Sequence, residues 1–253
     1  MKLSQQIPVL FFLLLIVSAC STTRGLTTFE GLEPAGLTAD ELVALVPNYS
    51  ETLITISGSG RAIVSEPGNS ERVTLQFQSN RNESLITVRN SVGIEGGQIY
   101  VDTDSLLIYN RIDRIAEKVP LRDGRLSSVG SIASINILDL INYTFEAADV
   151  EQIFDDRDTF VALLTNRTIL NISKANGTIL EVVHAIENYS APYSRIEYDG
   201  YGTIEGFRLP RRITIYSRDG ESRAALLVQR LDVNTELPEL SIVLPDDVPI
   251  NRP

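Results

Sequence analysis

The sequence predicts a mainly β, α+β protein: one large antiparallel sheet that curls and carries helices on its concave face. Three observations predict it. Long stretches on both sides of the middle alternate apolar and polar residues with period two, the mark of half-buried strands. Short clusters of Gly, Asn, Asp and Pro separate these stretches, as in a meander of hairpins. The middle returns to helical spacing. About eleven strands are too many for a flat open sheet, so the sheet must curl, and helices inserted midway belong on its concave apolar side.

The elements follow in order. Lys2 gives a positive start, and residues 7–19 are apolar apart from Ser18. That run is too short to span a bilayer, which needs roughly 20 apolar residues. It has the length and flanks of a secretory signal. It ends in Val17-Ser18-Ala19-Cys20, which resembles a lipobox. Residues 1–19 are therefore expected to be a lipoprotein signal peptide, with Cys20 carrying an S-diacylglycerol and an N-acyl chain. Cys20 is the one cysteine of the chain, so no intramolecular disulfide is possible. Ser21, rather than Asp, follows it, which resembles an outer-membrane address. The expected location is the periplasmic face of the outer membrane, with a lipid anchor.

Residues 20–37 are small and polar and read as a flexible tether, leaving 38–253 as one domain. Thr38 and Glu41 have capping-box spacing at the head of a short helix that Pro47 stops. Strands are expected over 53–64, 72–79, 85–89, 98–102 and 106–110. In 72–79, Val73, Leu75 and Phe77 share one face while Thr74, Gln76 and Gln78 share the other. Ser57-Gly58-Ser59-Gly60 marks a bend or bulge where the sheet curls. Ile135, Leu138, Ile141 and Phe145 form one stripe of a helix over 132–145. A second short helix is expected over 149–154. Strands then resume at 159–165, 168–173, 179–187, 194–201, 211–217, 224–233 and 240–244. Asn176-Gly177 and Asp219-Gly220 are hairpin signals. The tail 244–249 is too rich in Pro for a regular element.

Composition excludes some functions. A net charge of −11 argues against nucleic acid as a partner, since phosphate contacts need clustered Lys and Arg. One His and no free Cys cannot form a His/Cys metal site. That residue, His184, reads as an ordinary strand residue. No Gly-x-Ser-x-Gly elbow precedes a helix. Asp155-Asp156 and Asp246-Asp247 are neighbours in sequence, and adjacent strand residues point to opposite faces. No catalytic residue emerges, and no metal or cofactor.

Several segments resemble the LolA/LolB family. Tyr198-Asp199-Gly200-Tyr201, Leu209-Pro210-Arg211-Arg212-Ile213, Arg218-Asp219-Gly220 and residues 227–233 are similar to the C-terminal half of LolB. Asn90-Ser91-Val92-Gly93-Ile94-Glu95 resembles the loop between its third and fourth strands. Residues 104–112, with the 132–145 helix, resemble a LolB-related lipoprotein family of unassigned function. The resemblance implies an unclosed half-barrel with a helical lid over an apolar cavity. It implies a non-enzymatic protein that receives lipoprotein cargo, in concert with a periplasmic LolA-like carrier, and acts as a monomer. It places a membrane-insertion loop at Val92, with Ile94 beside it. Val92 is smaller than the Leu usual there, and it could equally plug the end of the sheet. Strand alternation gives Ile54, Ile56, Val73, Leu75, Phe77, Ile86 and Val88 as acyl-chain cavity residues. Ordinary core packing beneath a lid is the competing role for the same side chains. The alternative function is an envelope interaction or sensor lipoprotein with the same fold and a self-filled cavity. A cavity of acyl-chain width beneath the 132–145 helix separates the two, and a solid interior counts against the carrier.

Overall fold

The computed structural model describes residues 29, 31–123, 126–185 and 191–252. The signal segment 1–19, Cys20 and most of the tether lie outside the described residues. Residues Glu33–Pro253 form one unit.

The short strand β1 (Glu33–Pro34) precedes helix α1 (Ala39–Leu45). Thr38 Oγ1 accepts from the Glu41 N–H, and the Glu41 carboxylate accepts from the Thr38 N–H, so the expected capping box is formed. A six-strand meander follows: β2 (Thr55–Glu66), β3 (Asn69–Asn80), β4 (Ser84–Arg89), β5 (Glu95–Val101), β6 (Ser105–Asn110) and β7 (Ile115–Pro120). Helices α2 (Ser128–Ala133) and α3 (Ile137–Ile141) come next. The second half contains β8 (Val150–Asp156), β9 (Thr159–Leu164), β10 (Thr168–Ser173), β11 (Ile179–His184) and β12 (Tyr193–Asp199). A separate hairpin, β13 (Gly202–Ile204) with β14 (Phe207–Leu209), interrupts it before β15 (Arg212–Ser217) and β16 (Arg223–Val233). Finally β17 (Ile250–Asn251) closes the series.

Fifteen of these strands form one sheet in the order β1-β8-β9-β10-β11-β12-β15-β16-β2-β3-β4-β5-β6-β7-β17. Strand β16 returns to pair with β2, which joins the two halves side by side. This order has a mechanical result. β7 lies near one edge and β8 near the other, so the connection 121–149 must cross the sheet. It crosses on the face where the apolar rows lie. One such row runs Leu231, Gly58, Phe77, Ile86, Ile99 across five strands. Another runs Ile153, Ala162, Leu170, Val182, Ile196, Ile215, Ala224 through the second half.

The predicted Gly/Ser bend is present. β16 bulges between Val228 and Arg230, opposite Gly60 and Ser59. A β-carbon on Gly58 would stand 2.4 Å from the Arg230 carbonyl oxygen and 2.6 Å from the Phe77 ring. A side chain there would push β2 away from β16 and from the Phe77 ring.

Three expectations are corrected. The helix over 132–145 is two short helices, because Asn136 leaves the helical path and caps α3 instead, its Oδ1 accepting from the Leu138 N–H at 2.8 Å. The helix expected over 149–154 is strand β8, preceded by one 3-10 turn at Ala147–Asp149. Val150, Ile153 and Phe154 gain more by pairing with β9 than a short isolated helix could provide. Residues 240–244 are irregular rather than a strand. They lie against β6 and β7, where Ile242, Leu244 and Val248 cover Tyr109 and Ala116. The tail beyond them does pair, since β17 runs parallel to β7 at Ala116 and Glu117.

Candidate functional site

The face that the connection crosses is the candidate site. Its floor is the curled sheet, and its cover is α1, α2, α3 and the hairpin β13–β14. Ile132, Ile137, Leu138, Leu140 and Ile141 of the lid are all buried in one core cluster with Ile56, Phe77 and Ile86. Leu75 and Val88 pack against that cluster while partly buried. Val73 is half-buried and stands opposite Ala62 on the same face. Six of the seven predicted cavity residues are thus brought to one surface. Ile54 is not: it precedes β2, is 53% exposed, and its N–H is held by the Asn234 side chain at 2.9 Å. Alternation placed it with Ile56, but the strand has not begun at residue 54.

A polar latch holds the lid to the floor. Ser79 and Ser84 are opposite one another on β3 and β4 and both fully buried, with hydroxyls 2.6 Å apart. Ser79 Oγ donates to Asn136 Oδ1 at 2.9 Å, and the Asn136 amide donates to the Asn80 carbonyl at 3.0 Å. The first two N–H groups of α3 donate back, Ile137 to Ser84 Oγ at 2.9 Å and Leu138 to Ser79 Oγ at 3.2 Å. Free helix N–H groups are thus satisfied by the sheet instead of by water. A second tie joins α2 to the Asp219-Gly220 turn, where Ser128 Oγ donates to Asp219 Oδ2 at 2.6 Å. That bond, with the one from Ser217, holds the Asp219 carboxyl down at about 2. The latch is a feature that sequence reading missed; two serines and an asparagine in separate segments carry no recognisable spacing.

Lid side chains fill the concave face. At the seam between α1, α3 and the sheet, a cavity of about 20 Å³ remains, lined by Tyr49, Tyr143, Tyr198, Tyr201 and Asn142 among others. That is room for one water, whereas an apolar cavity of about 150 Å³ is needed to hold even benzene. The Tyr198 hydroxyl and the Asn142 amide nitrogen are buried there without a protein partner. Among the described residues, lid side chains thus take up most of the space over the apolar rows.

Val92 and Ile94 lie elsewhere, at the tip of the β4–β5 turn, 75% and 60% exposed. Asn90 Oδ1 accepts from both of their N–H groups, at 3.1 and 2.9 Å, and Gly93 has φ +86°. The turn is thus built to hold two aliphatic side chains in solvent, and Val92 does not plug the sheet. His184 sits in β11 with Nδ1 3.0 Å from Thr168 Oγ1 and its ring against Tyr193. Burial, then the nearby Arg218, lowers its pKa to about 4, so it is neutral at ordinary pH. Among the described residues, no three metal-ligating side chains converge.

No family model and no curated protein matches the sequence. Solved structures do match the fold. A domain from Vibrio parahaemolyticus described as an outer membrane lipoprotein-sorting protein superposes with a TM-score of 0.52 at 13% identity, over 79% of this chain and 92% of its own. A DUF1329 family protein from Desulfovibrio piger gives 0.51 at 9% identity, over 79% and 92%. The fold is LolA/LolB-like. A LolA superfamily protein from Nitrosomonas europaea gives 0.49 at 12% identity, over 80% and 96%; the first two carry the assignment. In LolA/LolB-like terms, the 121–149 connection is the lid and the concave rows are the surface it covers.

Proposed function

We propose that this protein binds acyl chains against its concave face, beneath the α2–α3 lid, and receives or passes on lipidated proteins without making or breaking a bond. The observation that carries this reading is the lid. It is two short helices that cross an apolar floor and are held by a small polar latch and one surface tie. Such a cover can be exchanged for another apolar occupant.

The energies permit the exchange. Uncovering five buried aliphatic lid residues costs roughly 7–15 kcal/mol at 1.5–3 kcal/mol each. One chain of about 15 buried methylenes returns roughly 12 kcal/mol. The two nearly cancel, so a single chain binds weakly, whereas a cargo with two or three chains binds well. A closed empty state also keeps the floor out of water between cargoes. In this reading the body hangs from an acylated Cys20 at the periplasmic face of the outer membrane. A LolA-like carrier delivers the cargo.

A second reading is an envelope interaction or sensor lipoprotein whose interior stays closed. The filled concave face favours it. Titration with a triacylated lipopeptide separates the two. The carrier reading expects saturable binding, weaker binding of a single-chain analogue, and faster amide exchange across 128–141 in the complex. Exchange in 128–141 that ignores the lipopeptide would sink it.

A further inference from the structure

The outer face of the sheet carries a feature that acyl binding does not use. Residues directly opposite one another on neighbouring strands share a face, and the register aligns Arg212, Leu227, Arg61, Thr74 and Arg89 in one row across β15, β16, β2, β3 and β4. The next row on the same face is Thr214, Ala225, Ile63 and Arg72. The third contains Arg223, opposite Ser65. At about 4.8 Å between strands, Arg212 and Arg89 stand roughly 19 Å apart. Five arginines therefore surround Ile63 and Leu227, which are 39% and 44% exposed.

Arg61, Arg72, Arg89 and Arg223 form no ion pair among the described residues, in a chain of net charge −11. The carboxylates that flank the first row are engaged: Asp199 with Arg212 at 2.5 Å, and Glu95 with Arg111 at 3.0 Å. The rows border an open depression of about 540 Å³ that reaches Ser91, in the loop that exposes Val92 and Ile94. Unneutralised arginines beside protruding aliphatic side chains are what an interfacial protein presents to a bilayer: charge for the headgroups, apolar tips for the acyl boundary. Nucleic acid would reward the arginines but not the exposed Ile63, Leu227, Val92 and Ile94.

We propose that this arginine-ringed face, with the 90–94 loop at its margin, docks flat on a bilayer rich in anionic lipid. Docking would orient the body on the membrane rather than leave it swinging on its tether. The inference does not depend on acyl chains entering the concave face.

The test is arginine-selective labelling of the full-length chain, read by mass spectrometry. The chain is bound to phosphatidylcholine vesicles or to vesicles mixed with phosphatidylglycerol. The expected result is protection of Arg61, Arg72, Arg89 and Arg223 on the anionic vesicles alone, reversed by high salt, with Arg167 labelled equally on both. Each arginine near an anionic surface changes association roughly fivefold. Arg61→Gln with Arg72→Gln should therefore reduce protection of Arg89 and Arg223 by about tenfold or more. Both substituted side chains are exposed and unpaired, and an unchanged thermal transition verifies the fold. Equal labelling on the two vesicle types overturns the proposal. Equal protection by inorganic phosphate without vesicles also overturns it, in favour of a free-anion site.

Discussion

Gly177 lies where two backbones nearly touch. It follows Asn176 in the β10–β11 turn with φ +68°, and a β-carbon there would stand 1.8 Å from the carbonyl oxygen of Leu45, the last residue of α1. Gly177→Ala adds both a left-handed backbone penalty and a clash with backbone that cannot rotate away. A loss of about 3 kcal/mol in urea unfolding is expected, and a loss under 1 kcal/mol would show that α1 does not press on this turn. His184 offers a second residue-scale measurement. Its folded pKa is about 4, below the ordinary 6.5, because burial and Arg218 disfavour the cation. The stability it protects is therefore whole above pH 6.5 and is lost as pH falls towards about 4. The loss is on the order of 2 kcal/mol, discounted for partial exposure. His184→Gln should flatten that part of the stability-against-pH curve; a curve parallel to that of the parent chain would contradict the assignment. At this scale the sequence was informative where a residue acts through its neighbours in the chain, as Thr38 does with Glu41. It was silent where partners are distant, as with Gly177 and Leu45.

The lid is the element on which the proposed function rests. Its polar latch is short and buried, so removing the Ser79 hydroxyl breaks the bonds that tie Asn136 Oδ1 and the Leu138 N–H to the sheet. Ser79→Ala is expected to destabilise lid closure by about 1–2 kcal/mol while the sheet keeps its protection. Amide exchange reads this directly: protection should fall across 128–141 and hold in β9 and β10, whereas a uniform fall would mean that lid and sheet open together. Strand periodicity made most of the meander legible, as in the alternation of Val73, Leu75 and Phe77. The lid was harder. Asn136 fits the polar stripe of a continuous helix as well as it fits a cap, and only the buried serines beneath it decide between them. β7 was not legible because Ile115, Ala116 and Val119 do not alternate with polar residues at period two, and its pairing depends on β6 and the distant β17.

For the whole molecule, the sheet presents two faces of different character. The concave face is apolar and covered, and the rows that make it were readable as strand alternation. The outer arginine patch was not readable at all. Its five members are scattered from position 61 to position 223, and they meet only through the register of five strands. Net charge hid it further, since a charge of −11, taken over the whole chain, repels an anionic surface. Two properties of one sheet would then be combined: a binding side that opens inward and a standing side that faces the bilayer. Cys20 would set the distance, and the patch the orientation.

The sheet's two borders have a consequence of their own. One is finished by β1, whose second residue is Pro34, and the other by β17, both only two residues long. Proline offers no N–H, and a dipeptide strand gives an incoming chain almost nothing to template on. Proteins tethered to one membrane meet far more often than the same number free in solution. A fifteen-stranded sheet with long bare margins would zip to its neighbours under such crowding. Here the two outermost stitches are β1 and β17, so copies brought together by the proposed anchor would collide repeatedly and still part.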